Sequence, residues 1–158
     1  MENTLKSSQR LVVYKLGYYF TEPRTGDIVV FQYKEGSASK IAWLRELPFF
    51  SRAITSYDEI DYIKRVIGLP GDKVDIKEDG FVYVNDIKID EPYLKQEGET
   101  YSPFLDMPVI VPDDMVFAMG DNRMNSKDSR QIGFIPYEKI KGKVVLRIWP
   151  FDEFGVIR

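Results

Sequence analysis

The chain has 158 residues, enough for one domain that buries roughly 68–70% of its unfolded surface, and 22 Lys and Arg against 25 Asp and Glu give a net charge of −3. That balance supplies no basic face for nucleic acid, and 44% apolar with 30% charged residues belongs to a folded domain rather than a disordered chain. With no Cys and no His, disulfides, thiolate nucleophiles, Cys- or His-held metals and a Ser–His–Asp triad are all excluded; the proton shuttle of any enzyme built here is Lys, Asp, Glu or Tyr.

In chain order, Gly26-Asp27 turns into Ile28-Val29-Val30-Phe31, a β-favouring run. Residues 34–61 differ from the rest. They open loop-like with Lys34-Glu35-Gly36-Ser37, pass through a short helical window at 39–47, and carry Trp43, Leu44, Leu47, Phe49 and Phe50 with little polar relief. Two readings stand: a helical excursion packed onto the sheet, or an apolar lip that meets a membrane or a partner. Residues 62–67 form the next strand, stopped by Gly68-Leu69-Pro70-Gly71-Asp72. Val74-Asp75-Ile76, a turn at Glu78-Asp79-Gly80 and Phe81-Val82-Tyr83-Val84 predict a hairpin, with Ile87-Lys88-Ile89 as its third strand after Asn85-Asp86. Strands follow at 108–111, 115–119 and 143–149, and a short helix at 136–140 begins with Pro. No apolar run approaches the roughly 18 residues of a membrane-spanning helix, and the start lacks the pattern of a signal peptide. The reading is a mainly β fold, one domain over 1–158.

Three Gly-Asp pairs, at 26–27, 71–72 and 120–121, sit beside predicted strands, where a turn with Asp bonding nearby backbone accounts for each. The surroundings of the second and third are more specific. Strand alternation puts Lys64 on one face with Tyr62 and Val66, and Ile63, Arg65 and Ile67 on the other. Such a Lys either snorkels its ammonium to water or is buried, with its pKa depressed toward neutrality and its amine available as a base. Residues 120–133 are dense in short hydrogen-bonding side chains and hold two arginines, Arg123 and Arg130, that can pair with Asp121 or Asp128. They form either a solvated loop or a cross-linked working one.

The segments Lys64-Arg65-Val66-Ile67-Gly68-Leu69-Pro70-Gly71-Asp72 and Gly120-Asp121-Asn122-Arg123, with Ser126, Asp128-Ser129-Arg130 and Gly133 following, resemble two signature boxes of the type I signal peptidases. Those are membrane-anchored Ser–Lys endopeptidases that remove signal peptides from exported proteins. Gly26-Asp27-Ile28-Val29-Val30-Phe31 resembles a third box, and Arg147-Ile148-Trp149-Pro150-Phe151 resembles the family's aromatic, Pro-containing ending. Met124 departs from the Asp more usual there. The family's nucleophile lies in a Ser-Met-x-Pro-Thr-Leu stretch, which Met1-Glu2-Asn3-Thr4-Leu5 matches from Met onward with Asn3 in place of Pro. The resemblance therefore puts the nucleophilic Ser directly before Met1, so the chain as given is expected to be inactive and to have its membrane anchor upstream. Ser7 and Ser8 lie outside the motif.

By the same resemblance Lys64 is the general base and Ser126 orients its amine. Asp121, Asn122, Arg123, Asp128 and Arg130 support the loop, while Met1, Leu5, Tyr62 and Ile63 match positions lining shallow pockets for small residues, with core packing the other reading of these four. The implied substrates are signal peptides of exported preproteins, cut after Ala-x-Ala-like segments and bound as an added strand. The implied location is the extracytoplasmic side of the cell membrane, with Trp43, Phe49 and Phe50 as candidate contacts to the membrane surface. A monomer is expected, and neither metal nor organic cofactor nor nucleic acid is implied. Self-cleaving Ser–Lys repressors are a rival family, but nothing here supplies their DNA-binding domain. The alternative from another class is a signal-peptidase-like binding module for exported or pilus proteins.

Overall fold

The structure is a computed structural model that describes residues 1, 4, 5, 8–15, 18, 21–34 and 59–157; the predicted helix at 39–47 and the aromatic residues of that segment lie outside them. The described strands are β1 (Arg10–Tyr14), β2 (Ile28–Lys34), β3 (Glu59–Gly68), β4 (Lys73–Ile76), β5 (Val82–Val84), β6 (Ile87–Lys88), β7 (Val109–Ile110), β8 (Met115–Met119), β9 (Ile135–Pro136), β10 (Ile140–Trp149) and β11 (Gly155–Val156). They make two antiparallel sheets. The larger runs β1-β10-β2-β3-β8-β9 with β11 beside β10, and the smaller runs β6-β5-β4-β7.

The β2–β3 pair frames the molecule, with unbroken register from Ile28 opposite Arg65 to Lys34 opposite Glu59. Both strands are rich in β-branched and aromatic residues, and their alternate side chains feed two cores. Val29, Phe31 and Val66 join Val116, Ala118 and Ile135 on one face. Ile28 and Val30 join Leu5, Val144 and Ile157 on the other. A third cluster, Ile67, Val74, Val82, Val111, Phe117 and Met119, fills the space where the large sheet meets the small one. Each fully buried Val, Ile or Phe contributes about 1.5–3 kcal/mol of apolar burial.

The first two Gly-Asp pairs are turns held by their carboxylates. Gly26 and Gly71 take positive φ, at 89° and 81°. Asp27 accepts the Arg24 N–H at 3.1 Å and the Tyr18 hydroxyl at 2.9 Å, and Asp72 accepts the Leu69 N–H at 2.8 Å. The predicted meander forms as β4-β5-β6, and Asn85 and Asp86 both adopt positive φ, which a two-residue hairpin turn of this hand requires.

One expectation fails. Residues 136–140 are not a helix: Pro136 ends β9, Tyr137–Lys139 make a single 3₁₀ turn, and Ile140 already pairs with Phe31 at the start of β10. Three residues cannot offset the cost of helix nucleation when sheet pairing waits at both ends. Among the described residues, no helix is long and apolar enough to cross a membrane.

The passage from β3 into the small sheet depends on a missing side chain. A bulge between Val66 and Gly68 shifts the register against β8, and Gly68 then lies opposite Phe117. A Cβ there would sit 2.5 Å from Val74 Cγ2 and 3.1 Å from Val111 Cγ2. Both neighbours are buried, and both are β-branched and stiff. Gly68→Ala is expected to destabilise the domain by about 1–3 kcal/mol through overpacking, read as a lower urea midpoint at unchanged slope.

Candidate active site

Lys64 lies mid-strand in β3, opposite Val29 in β2. The strand's alternation turns it inward with Tyr62 and Val66, and it retains 7% of its exposure. Its Nζ donates to Ser126 Oγ at 2.9 Å and lies 5.5 Å from the centre of the Tyr62 ring. The amine therefore ends in the protein and does not snorkel. Burial pushes its pKa below the ordinary 10.5, the nearby Arg130 charge pushes the same way, and Asp128 and Asp121 oppose both. An amine so placed can take a proton from a neighbouring hydroxyl or water.

Ser126 comes from the polar segment that follows β8, and the structure shows that segment cross-linked rather than solvated. Asp128, fully buried, caps the one-turn helix α1 (Ser129–Ile132) by accepting the Arg130 N–H at 3.2 Å, and it accepts the Gly120 N–H at 3.0 Å. The Arg130 guanidinium grips both of its oxygens, at 2.9 and 2.8 Å. Burial alone would raise the Asp128 carboxyl, but the hydrogen bonds and charge of Arg130, with bonds from Gly120 and Ser126, hold it below the usual carboxylate range. Arg130 also donates to the carbonyls of Tyr101 at 3.0 Å and Arg123 at 2.8 Å. Asn122, half-buried, opens the 3₁₀ turn Arg123–Asn125, its carbonyl accepting the Asn125 N–H at 3.2 Å.

Gly120 is where these groups converge. A Cβ on it would lie 2.1 Å from Ser126 Oγ and 3.5 Å from Lys64 Nζ, so any larger residue would displace the hydroxyl from the amine. The Gly120 N–H is held by Asp128, and its carbonyl accepts Arg123 Nε at 3.2 Å. A cleft of about 330 Å³ opens beside Ser126, lined in part by Tyr101, Met124, Lys127 and Gln131.

The family model for signal peptidase, peptidase S26, matches residues 1–149. The chain belongs to this family. It is 37% identical to the probable signal peptidase I-2 of Synechocystis, over 99% of this chain and 62% of that protein, so it spans less than two thirds of that relative's length. It is 38% identical to signal peptidase I of Bacillus caldolyticus, over 98% of this chain and 78% of that one. Its mainly β fold is similar to the crystal structure of a signal peptidase I from Enterococcus faecalis V583, with a TM-score of 0.55 and 26% identity over 78% of this chain and 97% of that one.

The family's boxes meet in space through ion pairs that differ in part from those the sequence suggested. Asp121 takes Arg65 as its guanidinium partner, Nε to Oδ1 at 3.0 Å and Nη2 to Oδ2 at 2.9 Å, and neither arginine of its own loop. Arg123 reaches away to Glu91, with Nη1 to Oε2 at 3.0 Å and a second bond from Nη2 to Oε1, and to Thr100 Oγ1 at 2.9 Å. Arg130 pairs with Asp128 as expected. Leu5 is a buried core residue, with Met1 and Ile63 packed against its cluster. Tyr62 lies on the opposite face of β3, packed against Phe31 and Tyr33. The structure thus brings Met1, Leu5 and Ile63 together and puts Tyr62 with Lys64.

Sequence reasoning missed Glu91, Thr100 and Tyr93, all in a stretch without apolar periodicity. Tyr93 lies under the Arg65 guanidinium at 3.9 Å and donates its hydroxyl to Glu91 at 2.7 Å. Glu91 and Thr100 are buried. A buried carboxylate outside a strand pattern needs a buried cation, and Arg123, which the sequence suggested for Asp121 or Asp128, is the one Glu91 takes.

Two outcomes follow from these environments. Because the folded state holds the Lys64 proton less tightly than the unfolded chain, the site's contribution to stability grows with pH until both forms are neutral near the ordinary 10.5. Lys64→Met is therefore expected to be more stable than the parent at neutral pH, with the gap closing as pH rises toward the ordinary lysine value, as chemical denaturation at several pH values would show. Glu91→Ala leaves the buried Arg123 guanidinium unpaired and is expected to cost about 3–5 kcal/mol, visible as a large drop in the thermal midpoint.

Proposed function

We propose that this domain removes signal peptides from exported preproteins by Ser–Lys catalysis at the extracytoplasmic face of the cell membrane, cutting after small residues. The observation that carries the reading is the 2.9 Å contact between a buried Lys64 amine and Ser126 in a chain that has no His to serve instead. Family membership supports the substrate class. The nucleophile in this reading is the Ser that the motif puts directly before Met1.

The steps use the groups already described. Neutral Lys64 accepts the proton of the Ser hydroxyl as Oγ bonds to the carbonyl carbon of the scissile peptide. The tetrahedral intermediate collapses, the C–N bond breaks, and the Lys64 ammonium returns the proton to the departing amine. Water, deprotonated by Lys64, then attacks the acyl ester, and its proton passes back to the Ser oxygen as the C–O bond breaks. Ser126, half-buried and bonded to both Lys64 and Asp128, orients the amine so that its lone pair faces the reacting hydroxyl. Tyr62, beside Lys64, and Met1, Leu5 and Ile63, gathered on the other face of β3, are assigned to the pockets for small side chains, and the substrate adds as an extended strand. Asp121, Asn122, Arg123, Asp128 and Arg130 keep the loop in shape.

The experiment compares the 158-residue chain with one carrying a Ser and a short extension before Met1, each incubated with a preprotein in detergent and read by mass spectrometry. Cleavage after a small residue is expected in the extended chain alone, abolished by Lys64→Ala and by Lys64→Arg, since Arg does not give up its proton near neutral pH. The rate is expected to rise with pH through the depressed Lys64 value, below 10.5. No cleavage by a folded extended chain overturns the proposal in favour of a binding role, and cleavage by the unextended chain misplaces the nucleophile.

A further inference from the structure

The contacts of Thr4 point to a role beyond the dyad and its loop. Its hydroxyl donates to Asp121 Oδ2, and the same carboxylate pairs with Arg65, the residue that follows Lys64. That ion pair is a rigid reference. The Asp121 side chain is fully buried, Arg65 also donates Nη1 to the Gly26 carbonyl at 3.1 Å, and its guanidinium stacks on Tyr93. Asp121 is in turn bonded along the chain to Gly120, the residue packed against Ser126 and Lys64.

On the other side of the bond, Thr4 belongs to a closed turn. The Met1 carbonyl accepts the N–H of Thr4 at 3.0 Å and of Leu5 at 2.7 Å, so a shift of Thr4 carries Met1 and whatever precedes it. Met1 adds a weaker tie, its Sδ accepting the Asp121 N–H at 3.4 Å. The fold-holding contact of this turn is a different one: Leu5, buried among Ile28, Val30, Val144 and Ile157. Apolar packing of Leu5 fixes that the segment docks. The directional bond from the Thr4 hydroxyl fixes where its first residue points.

We propose that Thr4 is a positioning residue, whose hydroxyl, through Asp121 and Arg65, sets the distance between Lys64 and the nucleophile that precedes Met1. The inference rests on the Ser–Lys reading above. A reacting pair displaced by about 1 Å can lose on the order of 100-fold in rate without losing substrate binding.

The test uses the Ser-extended chain and its Thr4→Ala and Thr4→Ser variants, which differ from each other by one hydroxyl. Thr4→Ala is expected to lower kcat by roughly 10- to 100-fold, with KM within about twofold and the acid limb of the pH profile unmoved, because the Lys64 environment is intact. Thr4→Ser is expected to recover kcat to within a few-fold of the parent. Equal kcat in Thr4→Ala and parent, a loss confined to KM, or failure of Thr4→Ser to recover the rate each overturn the inference while leaving the Ser–Lys reading in place. Thermal melting of all three guards the comparison: a Thr4→Ala loss that tracks a collapse of the fold makes the hydroxyl structural and also overturns it. An inactive parent overturns the Ser–Lys reading and this inference with it.

Discussion

Moving an ammonium out of water into a protein interior costs several kcal/mol even after relaxation, and the least costly remedy is to leave the proton behind. Lys64 sits in that situation, walled by its strand and by the core beneath Tyr62 and Val66. Burial alone would not be enough, because two carboxylates, Asp121 and Asp128, lie near enough to stabilise the charged form. Each of them is committed to its own guanidinium, through Arg65 and Arg130. The Arg130 charge works against the carboxylates at the amine, and desolvation, the largest influence, keeps the pKa lowered. The ion pairs that look like loop scaffolding thus also bear on how tightly Lys64 holds its proton.

Three such pairs, Arg65–Asp121, Arg130–Asp128 and Arg123–Glu91, are buried around one short stretch of chain. Buried ion pairs are weak evidence for stability, since desolvation consumes much of their attraction. What they supply here is direction. Gly120 is held through its N–H by Asp128 and through its carbonyl by Arg123, which fixes the one backbone position that must stay small for Ser126 to reach Lys64. A hydrophobic loop of equal volume could pack as well, but it could not hold a peptide plane at both ends.

The strands that build the site were legible because their apolar residues alternate or run together. Residues 62–67 announced both faces of β3, and Asn85-Asp86 announced its hairpin by residue types that tolerate positive φ. The resemblance pointed to Lys64 and Ser126, and their side chains lie 2.9 Å apart. The partners of the loop arginines were not legible, since a charge pattern names candidates within a segment but not across a fold. Asp121 and Arg123 found Arg65 and Glu91, 56 and 32 residues away along the chain. The same blindness to tertiary pairing gave a helix at 136–140, where β9 and β10 take the chain at either end. Strand β1 passed unnoticed because Leu11-Val12-Val13 shows no alternation of residue type, although its exposure alternates once it lies against β10.

Consecutive residues of a β-strand face opposite sides; Lys64 and Arg65 in β3 divide that way, and Gly120 and Asp121, just past the end of β8, divide in a similar manner. Lys64 meets Ser126 on one side of β3 while Arg65, its neighbour, grips Asp121 on the other. Gly120 makes room for Ser126 while Asp121, its neighbour, takes Arg65 and Thr4. Each adjacent pair thus divides the work, one residue at the dyad and the next in the frame that holds it. In β3 the two neighbours sit on one stiff strand, so displacing Arg65 must displace Lys64. Gly120 leaves room for the contact between Ser126 and Lys64, whereas Asp121 and Arg65 make a second contact that ties the segment after β8 to β3 and also acts on the charge of the amine.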